Sequence, residues 1–159
     1  MFKKISTITR SCCLGIACAA ALYIEATTPA HADAEAAKEL AKVPGVIFAH
    51  ELADVPGKNL VAVRLEIPPK PAQPASSDQP FVHRHPGSVY VYVIKGTVRF
   101  GIQGQPVQVI HAGESAFEPV GAVHTILENT STEKPATVLA VLIVPDGAPT
   151  VTPVEGSKK

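Results

Sequence analysis

The residues of this chain best suited to chemistry stand in the stretch Phe81-Val82-His83-Arg84-His85-Pro86-Gly87. In an extended backbone, side chains two apart leave on the same side, so His83 and His85 would aim two imidazoles at one point while Arg84 turns away. Two convergent imidazoles suit a transition metal. Imidazole accepts Zn, Cu, Fe and Ni alike, so the pair points to a metal without naming it. A His-x-His pair is also common on solvated strands, and its meaning rests on the elements around it.

Those elements read as short strands. VIFAHEL, NLVAVRLEI, VYVYVI, TVRFGI, PVQVI, HTILEN and TVLAVLIV each have strand length and are rich in Val, Ile, Leu, Phe and Tyr. Gly, Pro, Asn and Asp break the chain between them, and no helical period intervenes. Seven closely spaced runs predict an antiparallel sandwich or small barrel, hence an all-β fold. In NLVAVRLEI, Val61, Val63 and Leu65 share one face and Leu60, Ala62 and Arg64 the other. Gln103-Gly104 marks a hairpin, and Ala112-Gly113 and Pro145-Asp146-Gly147 mark further turns. Five prolines between Pro68 and Pro80 exclude a central strand and predict an exposed loop leading to the histidine pair. The polar tail after Pro145 is expected to be loosely ordered. DAEAAKELAK, from Asp33 to Lys42, predicts a short N-terminal helix ended by Pro44 and Gly45.

Two longer stretches give the histidines a context. One is HRHPGSVYVYVIKG, His83 to Gly96; the other is GESAFEPVGAVHTILEN, Gly113 to Asn129. Together they resemble the two motifs of the cupin superfamily. Gly96 falls on the glycine of the first motif, Gly113, Pro119, Gly121 and His124 fall on positions of the second, and Asn129 stands slightly later than the usual asparagine. The resemblance spans roughly Val61 to Val144. It implies a small antiparallel β-barrel of the double-stranded β-helix or jelly-roll type, with one divalent transition metal held by His83, His85 and His124 in its mouth. Fe(II) is the first expectation, with Zn, Mn, Ni or Cu as alternatives. Val89, Val91 and Val93 would line the barrel interior as an apolar pocket wall, and Pro119 and Gly121 would turn the chain sharply so that His124 swings inward.

One position departs from the family pattern. Val89 stands where the usual acidic ligand lies, and neither Ser88 nor Tyr90 is a carboxylate. A three-histidine set leaves a divalent ion with its full charge, which favours an anionic or chelating ligand. Some cupin-like dioxygenases are similar in holding Fe(II) on three histidines. His50 and His111 fall on no motif position and are read as structural, and Arg84 as solvated or at an interface; Glu118, next to Pro119 near the site, could reach the mouth but is read first as a surface carboxylate. Tyr90 and Tyr92, opposite the valines, are expected at a subunit contact, making a homodimer.

The N-terminus carries Lys3, Lys4 and Arg10, then an apolar run from Cys12 to Ile24, then Thr-Thr-Pro-Ala-His-Ala. This order predicts a signal peptide over residues 1–32, cut after Ala32, with the rest periplasmic or secreted and no lasting membrane anchor. All three cysteines, Cys12, Cys13 and Cys18, lie in that segment, so the mature chain would have no thiol ligand, nucleophile or disulfide. Residues 33–159 carry 11 Lys and Arg against 13 Asp and Glu with no basic block, which argues against nucleic acid. Their length suits a single domain with its core at about 46–146. The expected function is that of a dioxygenase-like oxidoreductase acting on a small anionic molecule, with no residue beyond the ligands given a catalytic role. The alternatives are a non-catalytic periplasmic cupin that binds or senses a small ligand or metal, and a metal-free structural cupin.

Overall fold

The structure, a computed structural model, describes residues 30–71 and 82–155, with side chains from Glu35 onward in the first stretch. Most of the expected signal segment and most of the proline-rich loop lie outside the described residues. Among the described residues one helix, α1 (Ala30–Leu40), precedes ten strands: β1 (Val46–Glu51), β2 (Lys58–Ile67), β3 (His83–Arg84), β4 (Ser88–Lys95), β5 (Thr97–Ile102), β6 (Gln108–His111), β7 (Ser115–Glu118), β8 (Val123–Asn129), β9 (Ala136–Pro145) and β10 (Thr152–Pro153). They form two five-stranded sheets, in the orders β1-β2-β9-β4-β7 and β10-β3-β8-β5-β6. Every strand pairing is antiparallel. This is the all-β jelly roll with a short N-terminal helix that the strand-length runs and the motif resemblance predict.

Period-two alternation decides what lies between the sheets. Val89, Val91 and Val93 of β4, Val138, Leu142 and Val144 of β9 and Val98 and Phe100 of β5 are nearly or wholly buried in one core, while Tyr90 is exposed on the outer face. Val61 of β2 joins the core, and Val63 and Leu65 pack against it, as the face reading requires. Helix α1 adds Ala37 and Leu40 to the buried set beside β1 and β2.

Three strands were not among the seven runs, and each has a local reason. β3 and β10 are two residues long, and β7 is a four-residue segment confined between Gly113 and Pro119. The expectation of a loosely ordered tail is corrected here. Thr152 and Pro153 pair with Arg84 and His83, and Val154 N–H donates to Val82 O. Pro153 is tolerated because β10 is an edge strand, where a missing donor leaves no ladder bond broken.

The start of β4 depends on one residue without a side chain. Gly87 runs so close to β9 that a Cβ there would stand 1.7 Å from the carbonyl oxygen of Ile143 and 2.6 Å from its carbonyl carbon. Backbone, unlike a flexible side chain, does not step aside. Gly87→Ala is therefore expected to cost roughly 2 kcal/mol or more, read as a lowered urea midpoint. An unchanged midpoint would contradict the close packing of this turn on β9.

Candidate metal centre

β3 pairs with β8 so that His83 lies directly opposite His124, with Arg84 opposite Val123. His85, two residues beyond His83, returns to the same side. The three ring centroids are 4.8 Å (His83 to His85), 4.9 Å (His83 to His124) and 6.3 Å (His85 to His124) apart. One nitrogen from each ring falls within 4.8 Å of the others. The structure thus gathers the three histidines that the motifs single out.

Local irregularities aim His124 inward. The turn before β8 closes with Ala122 N–H donating to Pro119 O at 3.1 Å, and Gly121 takes φ +73°, which a type II turn requires at its third residue. β3 holds that turn in place: Gly121 N–H donates to His85 O at 3.1 Å, and Arg84 Nη1 donates to Gly121 O. Arg84 is exposed, but it acts as a clamp on this turn and is not merely solvated. Within β8, Gly101 pairs with Ile126 and Ile102 with His124, so Thr125 is the extra residue of a β-bulge. A bulge re-aims its neighbours, and His124 ends 3% exposed, 5.0 Å from the Phe100 ring.

Backbone carbonyls fix two of the imidazoles. His85 Nδ1 lies 2.6 Å from Thr150 O, and His124 Nε2 lies 2.9 Å from Ile126 O. A carbonyl only accepts, so each of these nitrogens carries the proton, and His85 Nε2 and His124 Nδ1 keep their lone pairs. Carbonyl-anchored imidazoles with the opposite nitrogen free are the arrangement metal-ligating histidines adopt. His83 Nε2 is 3.2 Å from His85 Nε2.

Glu118 is the residue that sequence reasoning placed wrongly. It is 1% exposed, not a surface carboxylate, with Oε1 3.4 Å from His124 Nδ1 and Oε2 3.9 Å from His85 Nε2. Glu118 Oε2 and His124 Nδ1 are buried with no hydrogen-bond partner among the described residues. Along β7 the alternation is inverted, with Phe117 57% exposed while Ala116 and Glu118 turn in. A period-two count from Ala116 puts the carboxylate on the inner face, the one signal in the sequence that points to its burial.

These groups sit at one side of a cavity of about 200 Å³. Val63, Leu65, Val89, Val91, Val138, Ala140 and Leu142 form its wall on the first sheet, Leu127 adds to it from β8, and Thr150 and Val151 close it from the tail. Val89 and Val91 line the cavity as expected. Val93 does not, because it lies farther along β4, fully buried in the core. His50 and His111 are exposed elsewhere, His50 Nδ1 2.7 Å from Glu51 O and His111 Nδ1 3.2 Å from Thr97 Oγ1. Asn129 serves a corner rather than the site: Nδ2 donates to Ile67 O and Lys134 O, and Oδ1 accepts from Ser131 N–H.

Burial shifts the titrating groups in opposite directions. It pushes the Glu118 carboxyl up to about 7. It drives His124 down to about 4, against the hydrogen bond to Ile126 O and with help from the charges of His83 and His85. His85 is lowered too, first by burial. Between the usual values of 4.5 for Glu and 6.5 for His, the unfolded chain holds a proton on the histidine and none on the glutamate. The metal-free fold does the reverse, so the two shifts cancel in the proton balance and this pair adds almost no pH dependence. Glu118→Gln removes one side of the balance. The folded variant then holds one proton fewer than the unfolded chain, so its stability relative to the parent is expected to rise by on the order of 3 kcal/mol from pH 4.5 to 6.5. Urea unfolding of both metal-free proteins across this range is the check; parallel curves would contradict the opposed shifts.

Residues 67–144 match the family model described as "Cupin domain". No curated protein matches the chain. Among solved structures, the chain is similar to an uncharacterized conserved protein with a double-stranded beta-helix domain from Klebsiella pneumoniae, at 21% identity over 72% of this chain and 82% of that one, with a TM-score of 0.45. It is similar also to the DMSP lyase DddQ from Ruegeria pomeroyi (16% identity, 66% and 47% coverage, TM-score 0.44) and to oxalate decarboxylase from Bacillus subtilis (19%, 62% and 24%, 0.46). The chain therefore spans about half the length of the first of these two enzymes and a quarter of the second. With two facing five-stranded antiparallel sheets and the family match over residues 67–144, this chain carries a domain of the cupin superfamily.

Proposed function

We propose that this chain is an exported cupin that holds one divalent transition metal on His83, His85 and His124 and works as a dioxygenase-like oxidoreductase on a small anionic molecule. The observation that carries the reading is the convergence of three imidazoles, two with their lone pairs set by backbone carbonyls, at one side of an otherwise apolar cavity. A bound divalent ion would supply Lewis-acid chemistry there and, with iron, redox chemistry. The chain's own part is to orient and to exclude. The valine and leucine wall keeps water from a substrate and strengthens every electrostatic contact in the cavity. A +2 ion beside one carboxylate leaves a net positive charge, which draws an anionic group toward the histidines.

A non-catalytic module that binds or senses a small ligand is the second reading. Its support is that Glu118 is the cavity's one ionisable group besides the histidines among the described lining residues. Export rests on the basic, apolar and small-residue order of residues 1–32. The homodimer rests on an apolar row across the outer face of the first sheet: Phe48, Ala62, Val141, Tyr90 and Phe117 are successive cross-strand partners. Phe48, Tyr90 and Phe117 are each about half exposed.

The full chain, produced with its own leader and without a histidine tag, is expected to be recovered with a mass that begins at Asp33. Elemental mass spectrometry after reconstitution should find one metal ion per chain, lost in His83→Ala/His124→Ala and retained in His111→Ala. Iron in the site together with oxygen uptake in a screen of small carboxylates would favour the oxidoreductase. Stoichiometric metal with no turnover would favour the binding module, and no metal in the parent would sink both. For the dimer, Tyr90→Glu/Phe117→Glu should sediment as a folded monomer. A parent that is itself monomeric would end that part of the reading.

A further inference from the structure

We propose that Glu118 is a fourth protein ligand to the ion, supplying from β7 the carboxylate that β4 lacks at Val89. This rests on the three-histidine reading above and refines it. The register makes the exchange possible. Val89 and Glu118 are direct partners across the β4–β7 ladder, and both are 1% exposed. Directly opposed residues of an antiparallel pair carry their Cβ atoms about 5 Å apart on the same face. A carboxylate moved from one to the other therefore reaches the same cavity from the adjacent strand.

Two of the donor separations already match one ion, and the others need a small inward movement of the side chains. Two atoms bonded at about 2.1 Å to a common metal stand about 3.0 Å apart at a right angle and about 3.4 Å apart at the tetrahedral angle. His83 Nε2 and His85 Nε2 are 3.2 Å apart and Glu118 Oε1 and His124 Nδ1 3.4 Å, whereas Glu118 Oε2 and His85 Nε2 stand 3.9 Å apart and the three histidine donors span up to 4.8 Å. Each Glu118 oxygen faces an imidazole nitrogen whose proton the carbonyl bonds have placed on the far side of the ring. Among the described residues Glu118 Oε2 has no hydrogen-bond partner, and no lysine or arginine lines the cavity. A buried carboxylate without a hydrogen bond or a cation is costly, and a divalent ion between it and the histidines would meet that need.

The test uses Zn(II) and Co(II) with the full chain. Glu118→Gln keeps the shape and removes the charge. It is expected to weaken Zn(II) binding in a chelator competition by at least about 100-fold, more than the loss of a mere supporting partner, and to change the visible Co(II) bands. Val89→Glu/Glu118→Val, which returns the carboxylate to β4, is expected to recover most of the affinity. Co(II) bands unchanged in Glu118→Gln would overturn the assignment whatever the affinity, and so would unchanged Zn(II) binding. In either case, loss of metal in His124→Ala would leave the three-histidine site standing. A parent that binds neither metal at one per chain would overturn the three-histidine reading itself, and this inference with it.

Discussion

The pairing of β3 with β8 is the constraint on which the site depends. Only two residue pairs define it, yet it sets His83 against His124 and fixes which way His85 faces. A slip of one residue would turn the His83 and His85 rings to the outside and bring Arg84 in. So short a ladder does not hold its own register. It is held from both sides, by β10 on one edge and by the Pro119–Ala122 turn clamped to His85 and Arg84 at the other. The Thr125 bulge and the Gly87 approach to β9 complete the frame. The direction of the imidazoles is thus specified by contacts on the backbone of the histidines and of their immediate neighbours.

Much of this was legible in the sequence, and what was not has a common cause. Long strands announce themselves by alternation: it puts Val61, Val63 and Leu65 on one face of β2, and Val89, Val91 and Val93 on the inner face of β4. The three histidines were legible because the flanking Gly and Pro positions give His124 its place. Segments too short for a period stayed hidden, and these carry the corrections. β7 has four residues and an inverted pattern, too short for alternation to mark Glu118 as buried. β10 has two, too few to mark Thr150 and Val151 as part of a docked segment. Val93 shows the converse: alternation gives the face of a strand, whereas the extent of a cavity along it depends on what the opposing sheet brings.

Electrostatically the site is a small polar island in an apolar wall. Three of its ionisable groups are uncomfortable when charged: burial raises Glu118 and lowers His85 and His124. Groups arranged this way favour a proton distribution with little net charge, and they also favour any cation that lets the carboxylate ionise while the imidazoles stay neutral. The same burial that makes the charged forms costly strengthens their coupling to such an ion.

The Thr150 carbonyl has a consequence beyond holding one ring. The segment after β9 crosses back over the barrel, lends that oxygen to His85, lays Val151 against the cavity and then docks on β3. It works as a strap whose buckle is the site itself. Tension, cleavage or a fused partner on this segment would loosen His85, open the cavity wall and release the β10 edge of the second sheet together, while the first sheet stays whole, so the accessibility of the pocket and the placement of its donors are tied to one length of chain.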